Sequence, residues 1–127
     1  KVLREHHNSE GRPYLHHISE HDSLEYLLKS TEMFLTTRQK ITTLYKYDSQ
    51  GLVKEIDQQN DISKMQMTSA FSYDQFGNLT SYSISENGKE TCRGELVIGD
   101  TALPEGAIEQ RPGGEIIMYK FTYVLYD

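Results

Sequence analysis

Tryptophan is absent from the 127 residues, cysteine occurs once and proline three times. A single cysteine excludes an intrachain disulfide, and because no reactive motif surrounds Cys92 we interpret it as a small strand side chain. Apolar runs are short, well below the roughly 20 residues that a membrane-spanning helix needs, so we predict no transmembrane segment in this chain. Gly-rich phosphate loops and nucleophile elbows are also lacking, which removes the usual sequence markers of phosphoryl and acyl transfer.

Positively charged residues are few: the chain has 13 Lys and Arg and 19 Asp and Glu, which gives a net charge of -6. The resulting field repels phosphate backbones, so we predict that nucleic acid is not a partner. Apolar residues make up 36% of the sequence, enough for a modest core in a single domain over residues 1–127. The nine Tyr and four Phe favour half-buried strand surfaces.

A seven-residue pattern occurs twice, as YDSQGLV and as YDQFGNL. In each copy an Asp, Asp48 or Asp74, stands at the first position of a four-residue turn, where its side chain accepts a backbone hydrogen bond. A Gly, Gly51 or Gly77, stands at the fourth position, where a hairpin turn followed by a bulge needs positive φ. The two copies therefore predict β-hairpins over residues 41–58 and within residues 65–98.

Two further turn signals extend the hairpin pattern. The segment HHNSEGRPY is a degenerate copy with Asn8 and Gly11 in the Asp and Gly positions, and it predicts a hairpin over residues 1–18. Pro13 in its return arm cannot donate to a ladder, so we expect that arm at a sheet edge. The pair Asn87-Gly88 is typical of a two-residue type I′ turn within residues 65–98.

The remaining segments complete the predicted fold. Asp22 and Glu25 resemble a capping pair and precede several leucines, which indicates a helix within residues 22–34, centred on residues 23–31. Residues 99–110 are expected to form a loop. Residues 115–126 alternate between apolar and polar and predict a C-terminal strand. The fold class is thus mainly β, an antiparallel meander of about six to eight strands with one short helix.

The quoted segments YDSQGLVKEI and YDQFGNLTSYSISENGK resemble the YD repeat of the bacterial RHS (rearrangement hot spot) family, whose consensus is Tyr-Asp-x-x-Gly-Asn/Arg-Leu. In large RHS proteins many such hairpins form a hollow shell, whereas two or three cannot enclose a cargo. The chain looks more like short bacterial secreted or lipid-anchored domains of unknown function that carry a few YD hairpins. That resemblance implies an extracytoplasmic location: periplasmic, outer-membrane-anchored or secreted.

Histidine is confined to the first 21 residues, at His6, His7, His16, His17 and His21. The string HISEH matches the His-x-x-Glu-His motif of one class of zinc peptidase, with Glu20 in the base position. That motif needs a helix, whereas a hairpin arm is expected here, which argues against a peptidase. Adjacent arms of a hairpin can still bring His pairs together to bind a divalent ion. The alternative is that these are exposed strand side chains.

Tyrosines supply the other candidate surface, at Tyr45, Tyr47, Tyr73 and Tyr82. Such rings can stack on a sugar or a peptide, and the alternative is that they form cross-strand pairs. Asp48 and Asp74 are already explained by their turns, so we assign them no catalytic role.

Hairpin chemistry accounts for most of the chain and leaves no residues in need of a catalytic role. We therefore predict a non-enzymatic binding or structural module that needs no cofactor and contacts protein or glycan through a sheet face or an edge strand. The alternative is a metal-binding protein or metal-dependent hydrolase that uses the N-terminal histidines.

Overall fold

The structure, a computed structural model, describes residues 1–100 and 103–124. Within these ranges it contains ten strands and no helix, which confirms the predicted all-β meander and exceeds the expected six to eight strands. The strands are β1 Val2–His7, β2 Pro13–His21, β3 Leu27–Phe34, β4 Gln39–Tyr47, β5 Val53–Asn60, β6 Gln66–Tyr73, β7 Leu79–Glu86, β8 Lys89–Ile98, β9 Pro104–Gln110 and β10 Ile116–Lys120.

The chain forms two compact units, Lys1–Thr68 and Ser69–Asp127, which we call unit 1 and unit 2. In unit 1, each of the strands β1 to β4 pairs antiparallel with the next along the chain. The expectation that the arm carrying Pro13 lies at a sheet edge is wrong, because β2 pairs with both β1 and β3; Pro13 is instead its first residue. In unit 2, β7 to β10 pair in the same consecutive way. Strand β6 begins in unit 1 and ends in unit 2.

In the described residues one turn design occurs four times, beginning at Asn8, Asp22, Asp48 and Asp74. In each turn the amide of the first residue donates to the carbonyl four residues on, and the amide of the fourth donates back to the carbonyl of the first. The Oδ1 atom of the first residue accepts from the second and fourth amides that follow it, at 2.9–3.0 Å. The fourth residue has positive φ in every copy, being Gly11, Glu25, Gly51 and Gly77.

The predicted helix over residues 22–34 is wrong, because Asp22 begins a turn and Leu27–Phe34 is strand β3. The segment Asp-Ser-Leu-Glu at residues 22–25 repeats Asp-Ser-Gln-Gly at residues 48–51, with Glu25 at a φ of 70° where the other copy has glycine. Because glycine is absent from this copy, the sequence pattern did not reveal the turn. Strand β3 then forms because it pairs on both sides, with β2 and β4.

The predicted loop over residues 99–110 is wrong for its second half, which is strand β9 between β8 and β10. Pro104 begins this strand, a position where the missing N–H costs little. The C-terminal strand is shorter than residues 115–126, since β10 begins at Ile116 and ends at Lys120, which lies opposite Gly106 of β9. Residues 101–102 of the predicted loop and 125–126 of the predicted strand lie outside the described residues.

Few side chains are buried in the described part of the chain. Ala107, exposed by 6%, is its one buried apolar side chain, and the buried polar ones are Ser19, Ser30, Thr43 and Glu109. The three hydroxyl residues lie opposite one another on β2, β3 and β4 of unit 1. Since apolar burial is this small, backbone ladders and cross-strand side-chain contacts carry much of the stability.

Candidate functional site

Unit 2 places a nearly buried carboxylate at the centre of one sheet face. Glu109 lies on β9 and is only 8% exposed. Its Oε1 atom accepts from the Tyr82 hydroxyl at 2.9 Å and from the Cys92 thiol at 2.8 Å. Its Oε2 atom accepts from Arg111 Nη2 at 3.1 Å and from the Tyr119 hydroxyl at 3.3 Å. We call these five residues the Glu109 cluster, and four strands and one turn contribute to it.

Gly94 is the reason that Tyr82 can reach this carboxylate. Tyr82 on β7 lies opposite Gly94 on β8, and Gly94 lies opposite Glu109 on β9. The Tyr82 ring covers Gly94 so closely that a Cβ atom there would collide with the ring. A glycine inside a strand often marks such a close approach. The ring therefore spans β8 and places its hydroxyl on the next strand.

The contacts within the cluster keep Glu109 ionised and keep Tyr82 and Cys92 protonated near neutral pH. Hydrogen bonds from Cys92 first and then Tyr82, together with Arg111, lower the pKa of Glu109 to about 2. Burial first, and then the bond to Glu109, raises the pKa of Tyr82 to about 12 and that of Cys92 to about 11. The carboxylate is thus a weak base and the thiol a poor nucleophile.

The opposite face of unit 2 is apolar and open. The residues that form it are Val97, Ile108, Ile116 and Met118, exposed by 46%, 40%, 60% and 76%. Ile108 lies directly opposite Met118, and Ile116 is two residues along β10 on the same side. A shallow depression of about 400 Å³ is lined in part by Val97, Ile108 and Met118. We call these four residues the apolar face.

The four candidate tyrosines are divided between the units and all are half-buried. In unit 1, the Tyr47 hydroxyl donates to the Leu27 carbonyl at 2.7 Å, and its ring lies 5.1 Å from that of Tyr26. Burial raises the pKa of Tyr47. Tyr45 lies two residues before it on β4. In unit 2, Tyr73 ends β6 and Tyr82 belongs to the Glu109 cluster, so a stacking surface made of these rings stays a prediction.

The N-terminal histidines separate into several local contacts. His7 and His16 each approach Glu5, with Nε2 to carboxylate oxygen distances of 2.7 and 2.9 Å. His17 Nε2 lies 3.0 Å from Ser30 Oγ, which is on β3.

The other two histidines lie apart from the Glu5 pair. His6 lies against Tyr14 with ring centroids 6.3 Å apart, and His21 ends β2 opposite Leu27. The string HISEH therefore lies on strand β2, as expected, and lacks the helix that the peptidase motif uses. No group of three or more His, Cys, Asp or Glu side chains in residues 1–100 and 103–124 is arranged to hold a metal ion. The divalent-ion site stays a prediction.

Sequence reasoning missed the Glu109 cluster, because Tyr82 and Cys92 are 27 and 17 residues away from Glu109. Only register across three strands brings them together. Gly94, alone inside an otherwise strand-like run, was the one local signal of a close approach.

Compared with protein-family models and with curated proteins, the chain matches none of them, so its resemblance to YD repeats rests on the motif alone. The residues that the structure describes include no helix long and apolar enough to cross a membrane.

Proposed function

We propose that this chain is a non-catalytic module that binds another protein through the apolar face of unit 2. The observation that carries the proposal is an uncovered group of large apolar side chains in a protein whose described part buries a single apolar residue. Contiguous apolar surface of this kind is typical of protein interaction sites. Methionine, as at Met118, adapts its shape to different partners.

A protein suits this face better than a glycan does. Its members are aliphatic or thioether side chains, whereas sugar rings are usually held by flat aromatic rings beside hydrogen-bonding groups. Exposed Glu95 lies opposite Ile108 on β8, and exposed Glu105 and Lys120 line the same depression as the apolar side chains. A polar rim around an apolar centre is the usual anatomy of a protein interface.

The chemistry of the described residues supports a binding role over catalysis. Asp48 and Asp74 are tied to the backbone of their turns, and a bond from the Asn78 amide lowers the pKa of Asp74. Glu109 is saturated with donors, and the Cys92 thiol is held protonated. We also propose an extracytoplasmic location, for which the support is the YD motif.

Site-specific photo-crosslinking tests the proposal. A photoreactive residue in place of Ile108 should capture one discrete protein in the native host, while the same residue in place of Glu32, on β3 of unit 1, should not. The substitution Val97→Ser should abolish the capture without changing the far-UV spectrum. Equal capture from both positions, or glycan binding that Val97→Ser leaves intact, would refute a protein site on this face.

A further inference from the structure

The two ends of unit 1 differ in charge. Its strands alternate in direction, so the connections that follow β1, β3 and β5 lie at one end and those that follow β2 and β4 lie at the other. With two strand residues on each side, the connections of the first end have a net charge of +2 from Glu10, Arg12, Arg38, Lys40, Asp61 and Lys64. Those of the second have a net charge of -2 from Glu20, Asp22, Glu25, Lys46, Asp48 and Lys54. We call them the basic end and the acidic end.

A polar depression of about 390 Å³ lies at the basic end, between β4, β5 and the turn that follows β5. Its lining includes two cations, Lys40 and Lys64. The uncharged side chains that line it and can donate hydrogen bonds include Thr42, Gln59 and Gln66. Thr42 lies directly opposite Gln59, so both side chains project from the same face of the sheet. We call this site the Lys40 depression.

Asp61 fixes the strand that carries Lys40 against the neighbouring turn. Its Oδ1 atom accepts from the Lys40 amide at 2.7 Å, and its own amide donates to the Lys40 carbonyl at 3.0 Å. One oxygen of the carboxylate is therefore directed at the backbone. Counted with this carboxylate, the side chains that line the depression have a net charge of +1.

The two cations of the depression are not neutralised by an ion pair within residues 1–100 and 103–124. Elsewhere in unit 1, Lys29 pairs with Glu20 at 3.7 Å and Lys46 pairs with Glu55 at 2.7 Å. Lys64 also has a φ of 60°, a left-handed conformation that glycine adopts at lower cost. Backbone strain of this kind is concentrated at functional sites.

We propose that the Lys40 depression binds a single phosphate group, carried by a soluble phosphate ester or by a phospholipid headgroup. Phosphate offers three strong acceptor oxygens, which suits two ammonium groups with hydroxyl and amide donors beside them better than the two oxygens of a carboxylate do. The net charge of -6 still opposes a polyanion, because that field acts at longer range. The site goes beyond the proposed function, since it lies in unit 1 and needs no residue of the apolar face.

Apolar side chains beside the depression distinguish the two sources of phosphate. Met65 lines the depression and is exposed by 44%, and Ile62 in the same turn is exposed by 58%. A phospholipid headgroup would bring both side chains next to acyl chains, where apolar insertion adds to the attraction of cations for anionic lipid. A soluble ester would leave Ile62 in water. Dependence of binding on Ile62 therefore indicates a lipid.

Titration of the full chain with glycerol phosphate, followed through backbone amide chemical shifts, tests the site. The shifts should saturate, centre on residues 40–42 and 59–66, and exceed those caused by sodium chloride at equal ionic strength. Lys40→Gln and Lys64→Gln should each raise the dissociation constant about three- to tenfold. Lys54→Gln is the matched control, because it removes the same charge from an exposed position at the acidic end and should change the constant less than about twofold.

Cosedimentation with vesicles separates the two sources. Binding to phosphatidylglycerol vesicles but not to phosphatidylcholine vesicles, weakened by both Lys64→Gln and Ile62→Ser, assigns a lipid headgroup, whereas binding of glycerol phosphate alone assigns a soluble ester. A far-UV spectrum of each variant shows that the strands are retained. The proposal is overturned if neither probe binds, if binding survives in both lysine variants, or if Lys54→Gln weakens it equally.

Discussion

At the scale of single residues, Glu109 is one of two buried side chains in the described part of unit 2, the other being Ala107. One carboxylate, exposed by only 8%, binds donors from β7, β8, β10 and the turn after β9. An anion at this position is stable because its acceptor sites are satisfied. The arrangement also specifies register, since a slip of one residue would turn every member to the opposite face.

Acid should weaken unit 2 through this carboxylate. The pKa of Glu109 is about 2 in the folded chain against an ordinary value of 4.5, so its stabilisation is complete above about pH 4.5 and is lost as the pH falls toward 2. Urea midpoints measured across this range should fall more for the unmodified chain than for Glu109→Gln, which should be weaker at neutral pH. Parallel pH curves for the two proteins would contradict this assignment.

Gly94 should matter because of the tyrosine ring above it. We expect Gly94→Ala to destabilise the chain by ~1–3 kcal/mol, since the new methyl group displaces the Tyr82 ring. The same change in a Tyr82→Ala background should cost much less, because the ring is gone. Urea denaturation of the four proteins completes the double-mutant cycle, and equal costs in both backgrounds would exclude the contact.

At the scale of elements, the repeated feature is the turn that begins with Asp, and in unit 1 one such turn contacts the next. Asp22, Asp48 and Asp74 begin equivalent turns at intervals of 26 residues, the length of two strands and two turns. In unit 1, the Tyr26 hydroxyl reaches Gly51 of the next turn, where a Cβ atom would collide with it. Glycine is therefore needed at position 51 for two reasons: it adopts positive φ, and it leaves room for the Tyr26 ring of the preceding turn.

Glu25 is the weak member of this series. It holds a φ of 70° in a position that glycine occupies in the other copies. Glu25→Gly should stabilise the chain by about 0.5–1 kcal/mol, because the left-handed conformation costs glycine nothing and costs other residues more. Glu32→Gly, inside strand β3, is the control and should destabilise. Thermal denaturation of both variants shows whether each substitution raises or lowers stability. Destabilisation by Glu25→Gly would contradict backbone strain at Glu25.

At the scale of the whole molecule, the small amount of buried apolar surface limits the heat-capacity change and the denaturant dependence of unfolding. Heat capacity and denaturant dependence both scale with the surface that unfolding exposes. Since Ala107 is the one buried apolar side chain in the described residues, we expect a heat-capacity change below the usual ~12–15 cal/mol/K per residue. Calorimetry gives this value directly. A heat-capacity change at or above that range would show a larger apolar core than the structure contains.

Local chemistry explains which elements were predictable. Hairpins whose turns contain both Asp and Gly, such as those at Asp48 and Asp74, can be predicted from four consecutive residues. The turn at Asp22 escaped prediction because Glu25 replaces the glycine, and its leucines suggested a helical face. Strand β9 escaped because Pro104 and nearby glycines are typical of loops, whereas pairing on both sides outweighs that local preference.

The sequence by itself determined the turns, and through them the antiparallel meander, because each turn is stabilised by hydrogen bonds within five residues. Tertiary structure alone decided which side chains meet. Glu109, Tyr82 and Cys92 come together only when three strands adopt one register, and the apolar face appears only when β8, β9 and β10 lie side by side. Contacts between residues on different hairpins depend on the registers of several strand pairs at once, which no single turn specifies.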